Sequence, residues 1–290
     1  MTQPLLIEIG LEELPAIPLL KIIKNIEKSW ETILAEYKLS NEFAFFYTPR
    51  RLVLKHTSMP IQQEDSTVEF FGPPIVAAVK DGEPTKAALG FSRKCGVSFD
   101  ELGRADKNGK EVLYFKKEEK GSDTASLLQE MLEKWLASMS FGKMMRWGSR
   151  TDEFIRPLRW LQVRMAEHSV PVELYGVVSN TKTYVHRMVT YDAVEVTGIN
   201  DYDDVLRQGA VMLEPSERKA LILAEFESLE KIHNVIIEID NALLSEVVAI
   251  TENPKALLGT FDEDFLELPP EVIITSMKEH QRYFPVFENG

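Results

Sequence analysis

The chain has 290 residues, 44% of them hydrophobic, a formal net charge of −13 and one cysteine. That apolar fraction supports a packed core rather than a disordered chain, and the length accommodates one large domain or two ordinary ones. The acidity argues against a general nucleic-acid binder, a lone cysteine cannot close an internal disulfide, and no apolar run approaches the roughly 20 residues that span a bilayer.

The opening Met1-Thr2-Gln3-Pro4 has neither a basic region nor an apolar h-region, so no secretory signal is expected and the cytoplasm is the expected location. Residues 5–9 read as a buried strand. Leu19, Ile23, Ile26, Trp30, Ile33 and Tyr37 recur at four- and three-residue steps, which predicts a helix with one apolar stripe. Residues 43–47 and 52–56 are β-type runs broken at Thr48-Pro49. The expected fold class is therefore α+β, an N-terminal β-α-β-β unit followed by mixed helices and short strands, in two subdomains, 1–145 and 146–290.

Residues 62–82 are punctuated by Gly72-Pro73-Pro74 and Asp81-Gly82 and read as loop with short strands. A short helix is predicted over 84–95, closed near Gly96, and a strand over 112–116. Leu127, Leu128, Met131, Trp135 and Met139 mark a helix that starts after Ser122-Asp123. Residues 154–166 read as a helix with Pro157 in its first turn, and 172–178 as a strand. Helices over 215–232 and 241–250 flank a strand at 235–239. Leu268-Pro269-Pro270 opens a last helix, with Ile273, Met277 and Phe284 on its apolar side and Lys278, Gln281 and Arg282 on its polar side. Asn289-Gly290 is a hairpin-turn signal without a second strand, so the chain reads as cut in mid-fold.

Charge is spread unevenly. Residues 192–271 hold 19 Asp or Glu and 5 Lys or Arg, whereas the rest of the chain holds 27 and 28. A polyanion is therefore expected to meet only the other part. Lys143, Arg146 and Trp147, then Arg156, Arg159 and Trp160, mix cations with aromatics, as phosphate contact and base stacking require. A core tryptophan under arginine stems produces the same pattern. Arg50-Arg51 after Thr48-Pro49 offers two guanidiniums at a turn, either to phosphates in fork geometry or to carboxylates at a strand start. His186-Arg187 is a further candidate, although a single histidine is more often structural than catalytic.

No phosphate-cradling glycine loop, zinc-type spacing or nucleophile elbow is present, so no catalytic residue, metal or cofactor is expected in this chain. Asp203-Asp204 and Asp262-Glu263-Asp264 read as solvated acidic loops rather than cation sites. Cys95 has Arg93-Lys94 beside it but no base or resolving cysteine, and is expected to be inert.

Several blocks together resemble one family. They are Glu8-Ile9-Gly10-Leu11-Glu12-Glu13-Leu14-Pro15, Thr48-Pro49-Arg50-Arg51-Leu52, Gly82-Glu83-Pro84-Thr85-Lys86-Ala87-Ala88 with Gly90-Phe91, Lys143-Met144-Met145-Arg146-Trp147-Gly148, Phe154-Ile155-Arg156-Pro157 with Trp160, His186-Arg187-Met188, Ile250-Thr251-Glu252-Asn253-Pro254, and Met277-Lys278-Glu279-His280-Gln281-Arg282-Tyr283-Phe284-Pro285. In this order they resemble the beta subunit of bacterial heterotetrameric glycyl-tRNA synthetase.

The resemblance implies the N-terminal body of a longer beta subunit, with HD-like and anticodon-binding domains beyond it. It implies a part in ATP-dependent attachment of glycine to tRNA(Gly) within an alpha2-beta2 tetramer. The alpha subunit would bind ATP with Mg and form glycyl-adenylate, while this body would dock alpha and help bind tRNA. Under that reading Arg50, Arg51, Lys143, Arg146, Arg156, Arg159, His186, Arg187, Lys278, His280, Gln281 and Arg282 are the candidate tRNA contacts. The alternatives are a tRNA-binding or editing-type module, and a protein-interaction domain without its own catalysis.

Overall fold

The structure is a computed structural model that describes residues 1–80 and 82–288. The turn signals at Asp81 and Asn289-Gly290 lie outside the described residues. Backbone contacts divide the chain into two units, one of residues 1–61 with 124–288 and one of 62–123, so residue 145 falls inside the first unit.

The first unit opens with β1 (Thr2–Leu11), α1 (Ala16–Glu36), β2 (Ala44–Thr48) and β3 (Arg51–Pro60), the expected β-α-β-β order. Thr48 faces Arg51 across the β2-β3 ladder, so Pro49-Arg50 forms a two-residue turn.

The second unit holds β4 (Ser66–Pro74), α2 (Ile75–Ala78), β5 (Val79–Lys80), β6 (Glu83–Pro84), α3 (Lys86–Cys95), β7 (Gly103–Lys107) and β8 (Lys110–Glu119). Its sheet runs β4-β8-β7, and α3 seals it with Ala88, Phe91 and Cys95 against Leu113. β4, over Ser66–Pro74, is longer than the short strands expected within the loop of 62–82. Its residues alternate between half-buried and exposed, but large aromatics occupy both faces, so periodicity was weak there. Gly96, at φ 72°, ends α3 as expected.

The chain then returns to the first unit with α4 (Thr124–Ser138), β9 (Leu158–Met165), β10 (His168–Ser169), β11 (Glu173–Leu174), β12 (Val177–Val178), β13 (Lys182–Thr183), β14 (Val194–Glu195), α5 (Tyr202–Gln208), α6 (Pro215–His233), β15 (Val235–Ile237), α7 (Asn241–Ile250), α8 (Pro270–Thr275) and β16 (Val286–Glu288). The main sheet is antiparallel, in the order β10-β9-β1-β3-β2. The α+β class is therefore observed.

Three elements differ from the sequence reading. Residues 154–166 supply a central strand, β9, not a helix. Leu161-Gln162-Val163-Arg164-Met165 alternates apolar and polar as a strand does, and only Pro157 suggested a helix start. Both faces are covered, so Gln162 and Arg164 are buried too. Residues 172–178 form a hairpin, β11-β12, because Tyr175 (φ 49°) and Gly176 (φ 81°) reverse the chain. The last helix passes from α8 into a π-helical turn over Ser276–Gln281 and stops at Arg282, φ 59°. Phe284 lies beyond it and packs edge-on against Phe226, with ring centroids 4.8 Å apart.

The two faces of the main sheet carry different chemistry because side chains alternate along each strand. Ile7, Ile9, Leu52, Leu54, Leu161 and Val163 share the core with α1 and α4. Trp30 of α1 meets Trp135 of α4 there, with centroids 5.5 Å apart. The opposite face carries Glu8, Arg51, Trp160, Gln162 and Arg164, all buried. Leu6 and Val53 of that face join Val185, Val196, Tyr202, Leu206, Val211 and Leu213 in a second core.

Candidate functional site

The covered polar face of the sheet holds a cluster of four buried charges. Glu8 and Gly10 on β1 lie opposite Val53 and Arg51 on β3, so Glu8 and Arg51 are diagonal neighbours on one face. Arg51 Nη1 reaches Glu8 Oε1 at 2.7 Å, and its Nη2 reaches Glu252 Oε1 at 3.2 Å. Arg50, from the β2-β3 turn, holds Glu252 Oε2 through Nη2 at 2.7 Å and Nε at 3.2 Å. Two guanidiniums and two carboxylates leave the cluster neutral, which makes its burial tolerable.

Hydroxyls and carbonyls complete the cluster. Thr48 Oγ1 donates to Glu252 at 2.8 Å, and Thr183 Oγ1 donates to Glu8 at 2.7 Å. Arg50 donates to the Val185 carbonyl and Arg51 to the Tyr184 carbonyl, both at 2.6 Å. The Trp160 ring covers the remaining side. The Arg51 guanidinium lies 5.4 Å from that ring's centroid, and Tyr184 packs on it at 4.9 Å. Gly10 makes room for this ring, since a Cβ there would fall 1.8 Å from Trp160 Cδ2.

Burial alone would lower the Arg51 pKa, but the charges of Glu8 and Glu252 outweigh it and the net shift is upward. Burial pushes Glu252 up, and Arg51 and Arg50 more than reverse that, so its carboxyl stays below the usual range. Tyr202, buried beside Glu8 and Arg51, is raised by desolvation and remains a neutral phenol.

A pocket of about 310 Å³ opens beside the cluster, lined by Glu13, Arg50, His186, Arg187, Glu252 and Asn253 among others. At its rim the β1 terminus meets three arginines. Arg187 pairs with Glu12 at 3.0 Å and Glu13 at 2.9 Å, and Arg159 pairs with Glu12 at 3.1 Å. Arg156 donates to the Glu13 carbonyl at 3.0 Å. His186 is half-buried, and its Nδ1 accepts from the Met188 amide at 3.2 Å.

The twelve candidates thus take different places. Arg156, Arg159, His186 and Arg187 come together at this rim. Arg50 and Arg51 are corrected from surface contacts to interior ones, because carboxylates occupy the donors that a phosphate would need. Arg146 pairs with Glu153 at 2.5 Å, while Lys143 is exposed. Lys278 pairs with Asp240, and Arg282 pairs with Glu246 at 2.9 Å, so both tie the last helix to α7. His280 and Gln281 are exposed. Sequence reasoning missed Glu8, Glu252 and Thr183. A carboxylate inside the apolar run Leu5-Leu6-Ile7-Glu8-Ile9 was the available signal, because a fully buried acid needs a partner.

Among the described residues no group of three or more His, Cys, Asp or Glu is placed to hold a metal ion, and no helix is long and apolar enough to cross a membrane. Cys95 is buried, and burial raises its thiol pKa.

Five of the blocks that carry the resemblance, at 8–15, 48–52, 154–157 with Trp160, 186–188 and 250–254, meet at this cluster and its rim. The family model described as glycyl-tRNA synthetase beta subunit matches residues 5–290. The glycine--tRNA ligase beta subunit of Helicobacter pylori (strain HPAG1) is 42% identical over 293 residues, covering 98% of this chain and 42% of the relative. That of Moorella thermoacetica is 38% identical over 289 residues, covering 99% and 42%, and that of Desulforamulus reducens is 39% identical over 291 residues, covering 100% and 42%. The chain spans about two fifths of the length of these relatives. With nearly every residue inside the match, the chain belongs to the glycyl-tRNA synthetase beta subunit family.

Proposed function

We propose that this chain is the N-terminal body of a glycine–tRNA ligase beta subunit. In this reading it assists ATP-dependent attachment of glycine to tRNA(Gly), working with an alpha subunit in an alpha2-beta2 tetramer in the cytoplasm. ATP and Mg would be used by alpha, and this body would dock alpha and help guide tRNA.

The observation that carries the reading is the convergence of the family's blocks on one buried ion cluster and its arginine rim. The rim supports a tRNA contact on electrostatic grounds. Its ion pairs are exposed, and exposed pairs are worth roughly 0–1 kcal/mol, so Arg159 and Arg187 can exchange carboxylates for phosphates at little cost, with Arg156, bound to backbone carbonyls, beside them. Their forked donors suit phosphate oxygens. Lys143 and Arg146 extend the same chemistry, and His280 and Gln281 are exposed candidates on another element.

The test is glycine charging of tRNA(Gly) by the full-length beta chain with and without its alpha partner. Charging is expected only with both. Charging that proceeds unchanged when residues 1–290 are deleted from beta would refute the assignment.

A further inference from the structure

In the second unit, α3 carries a basic outer face that the unit's own packing does not require. At 100° per residue, Ala88, Phe91, Ser92 and Cys95 fall on one side of α3 and are buried. Lys86, Gly90, Arg93 and Lys94 fall on the opposite side and are exposed. Among the described residues the ion pairs of this unit join Arg104 to Glu111 and Lys117 to Glu119. Lys86, Arg93 and Lys94 take part in neither, and α3 itself contains no acid.

Two features have no internal cause. Lys86 occupies the first helical position, where the positive end of the helix dipole disfavours a cation. Gly90 stands in mid-helix, where glycine is less favourable than alanine. A Cβ at Gly90 would meet nothing within 4 Å. Gly72 shows the contrast, because a Cβ there would lie 2.7 Å from the Phe91 ring. Packing demands Gly72 and leaves Gly90 unexplained.

A bare patch of helix backbone with cations one turn to either side fits a partner that bears its negative charge on its own backbone. A phosphodiester strand is such a partner. An acidic protein presents its charge on side-chain stems and gains nothing from a missing Cβ. We infer that the outer face of α3 is an RNA-backbone docking surface, with Lys86, Arg93 and Lys94 contacting phosphates across Gly90. The inference rests on the tRNA-binding reading above and adds to it a surface that contains none of the twelve candidates.

The experiment measures binding of a tRNA(Gly) transcript to the 290-residue chain between about 50 and 200 mM salt. It compares wild type, Gly90→Leu, and the triple variant Lys86→Ala, Arg93→Ala, Lys94→Ala. Gly90→Leu is expected to melt no lower than wild type, since leucine is the better helix former, and to bind about tenfold more weakly. The triple variant is expected to flatten the salt slope by about three units. Wild-type affinity and slope in both variants would overturn the docking surface and leave the tRNA reading standing. No binding by the wild-type chain would overturn both. Polyglutamate serves as the second probe: if these variants lose polyglutamate but keep RNA, the occupant is an acidic protein and the RNA assignment falls.

Discussion

Arg51 and Glu252 stand 201 residues apart in sequence and meet at 3.2 Å inside the protein. That contact fastens the segment after α7 to the central sheet, and Arg50 and Thr48 hold the same carboxylate. The cluster is neutral only while all four charged members are present, which makes each of them individually necessary.

Replacing Glu252 with glutamine leaves Arg50 without a carboxylate and Arg51 with Glu8 alone, in a buried setting. The expected loss is about 3–5 kcal/mol, the usual penalty for breaking a buried pair from one side. Urea unfolding of the variant and wild type measures it. A midpoint within error of wild type would show that water reaches the cluster and solvates the orphaned guanidiniums.

Gly10→Ala drives a methyl group into Trp160 and is expected to destabilise by about 1–3 kcal/mol or more. Trp160→Ala in the same chain should recover part of that loss, because the two positions share one space. Strictly additive losses in the double-mutant cycle would rule out this steric account.

His56 links stability to pH. Its Nε2 accepts from Trp30 Nε1 at 3.0 Å, so the ring proton sits on Nδ1, 2.7 Å from Asn41 Oδ1. Burial pushes the imidazole down to about 4. The unfolded chain titrates near 6.5, so between these values it binds more protons than the native state. Stability from this group is therefore complete above pH ~6.5 and is lost as pH falls toward 4, by about 3 kcal/mol in total. Denaturation midpoints from pH 7 to 4.5 should fall more steeply for wild type than for His56→Gln. Parallel curves would place the titration elsewhere.

Arg218 is buried and donates to the carbonyls of Tyr47, Met212, Leu213 and Val248, at 2.9, 2.6, 3.0 and 3.0 Å. Burial lowers its pKa to about 10, which leaves it charged at neutral pH. Arg218→Met strands those acceptors, and the expected cost is at least ~3 kcal/mol. Arg218→Lys should recover only part of it, because an ammonium cannot reproduce the planar fork. Full recovery in the lysine variant would show that charge alone matters here.

At the rim, Glu12→Gln frees Arg159 and Arg187 from one carboxylate. If these arginines meet phosphates, the change should strengthen tRNA binding, and Arg187→Ala should flatten the salt slope by about one unit. The assembled synthetase is the material for this measurement. Unchanged slopes with a lowered melting temperature in Arg187→Ala would assign the arginines to bracing alone.

Local patterns determined much of this protein. The apolar stripe of α1, the Pro215 and Asn241 helix starts and the Gly96 stop were legible because they depend on neighbours within one or two turns. The family resemblance was legible for the same reason, since each block is a short run. Only tertiary structure decided the rest. Residues 158–165 became a strand; the alternation over 161–165 was present in the sequence, but that Gln162 and Arg164 would be buried on a covered face depends on segments far away along the chain. Arg50 and Arg51 turned inward because Glu252 arrives from about 200 residues away, and no local rule sees a partner at that distance. A charge shows its sign in the sequence, but whether it meets solvent, phosphate or a buried carboxylate is settled by what the fold brings against it.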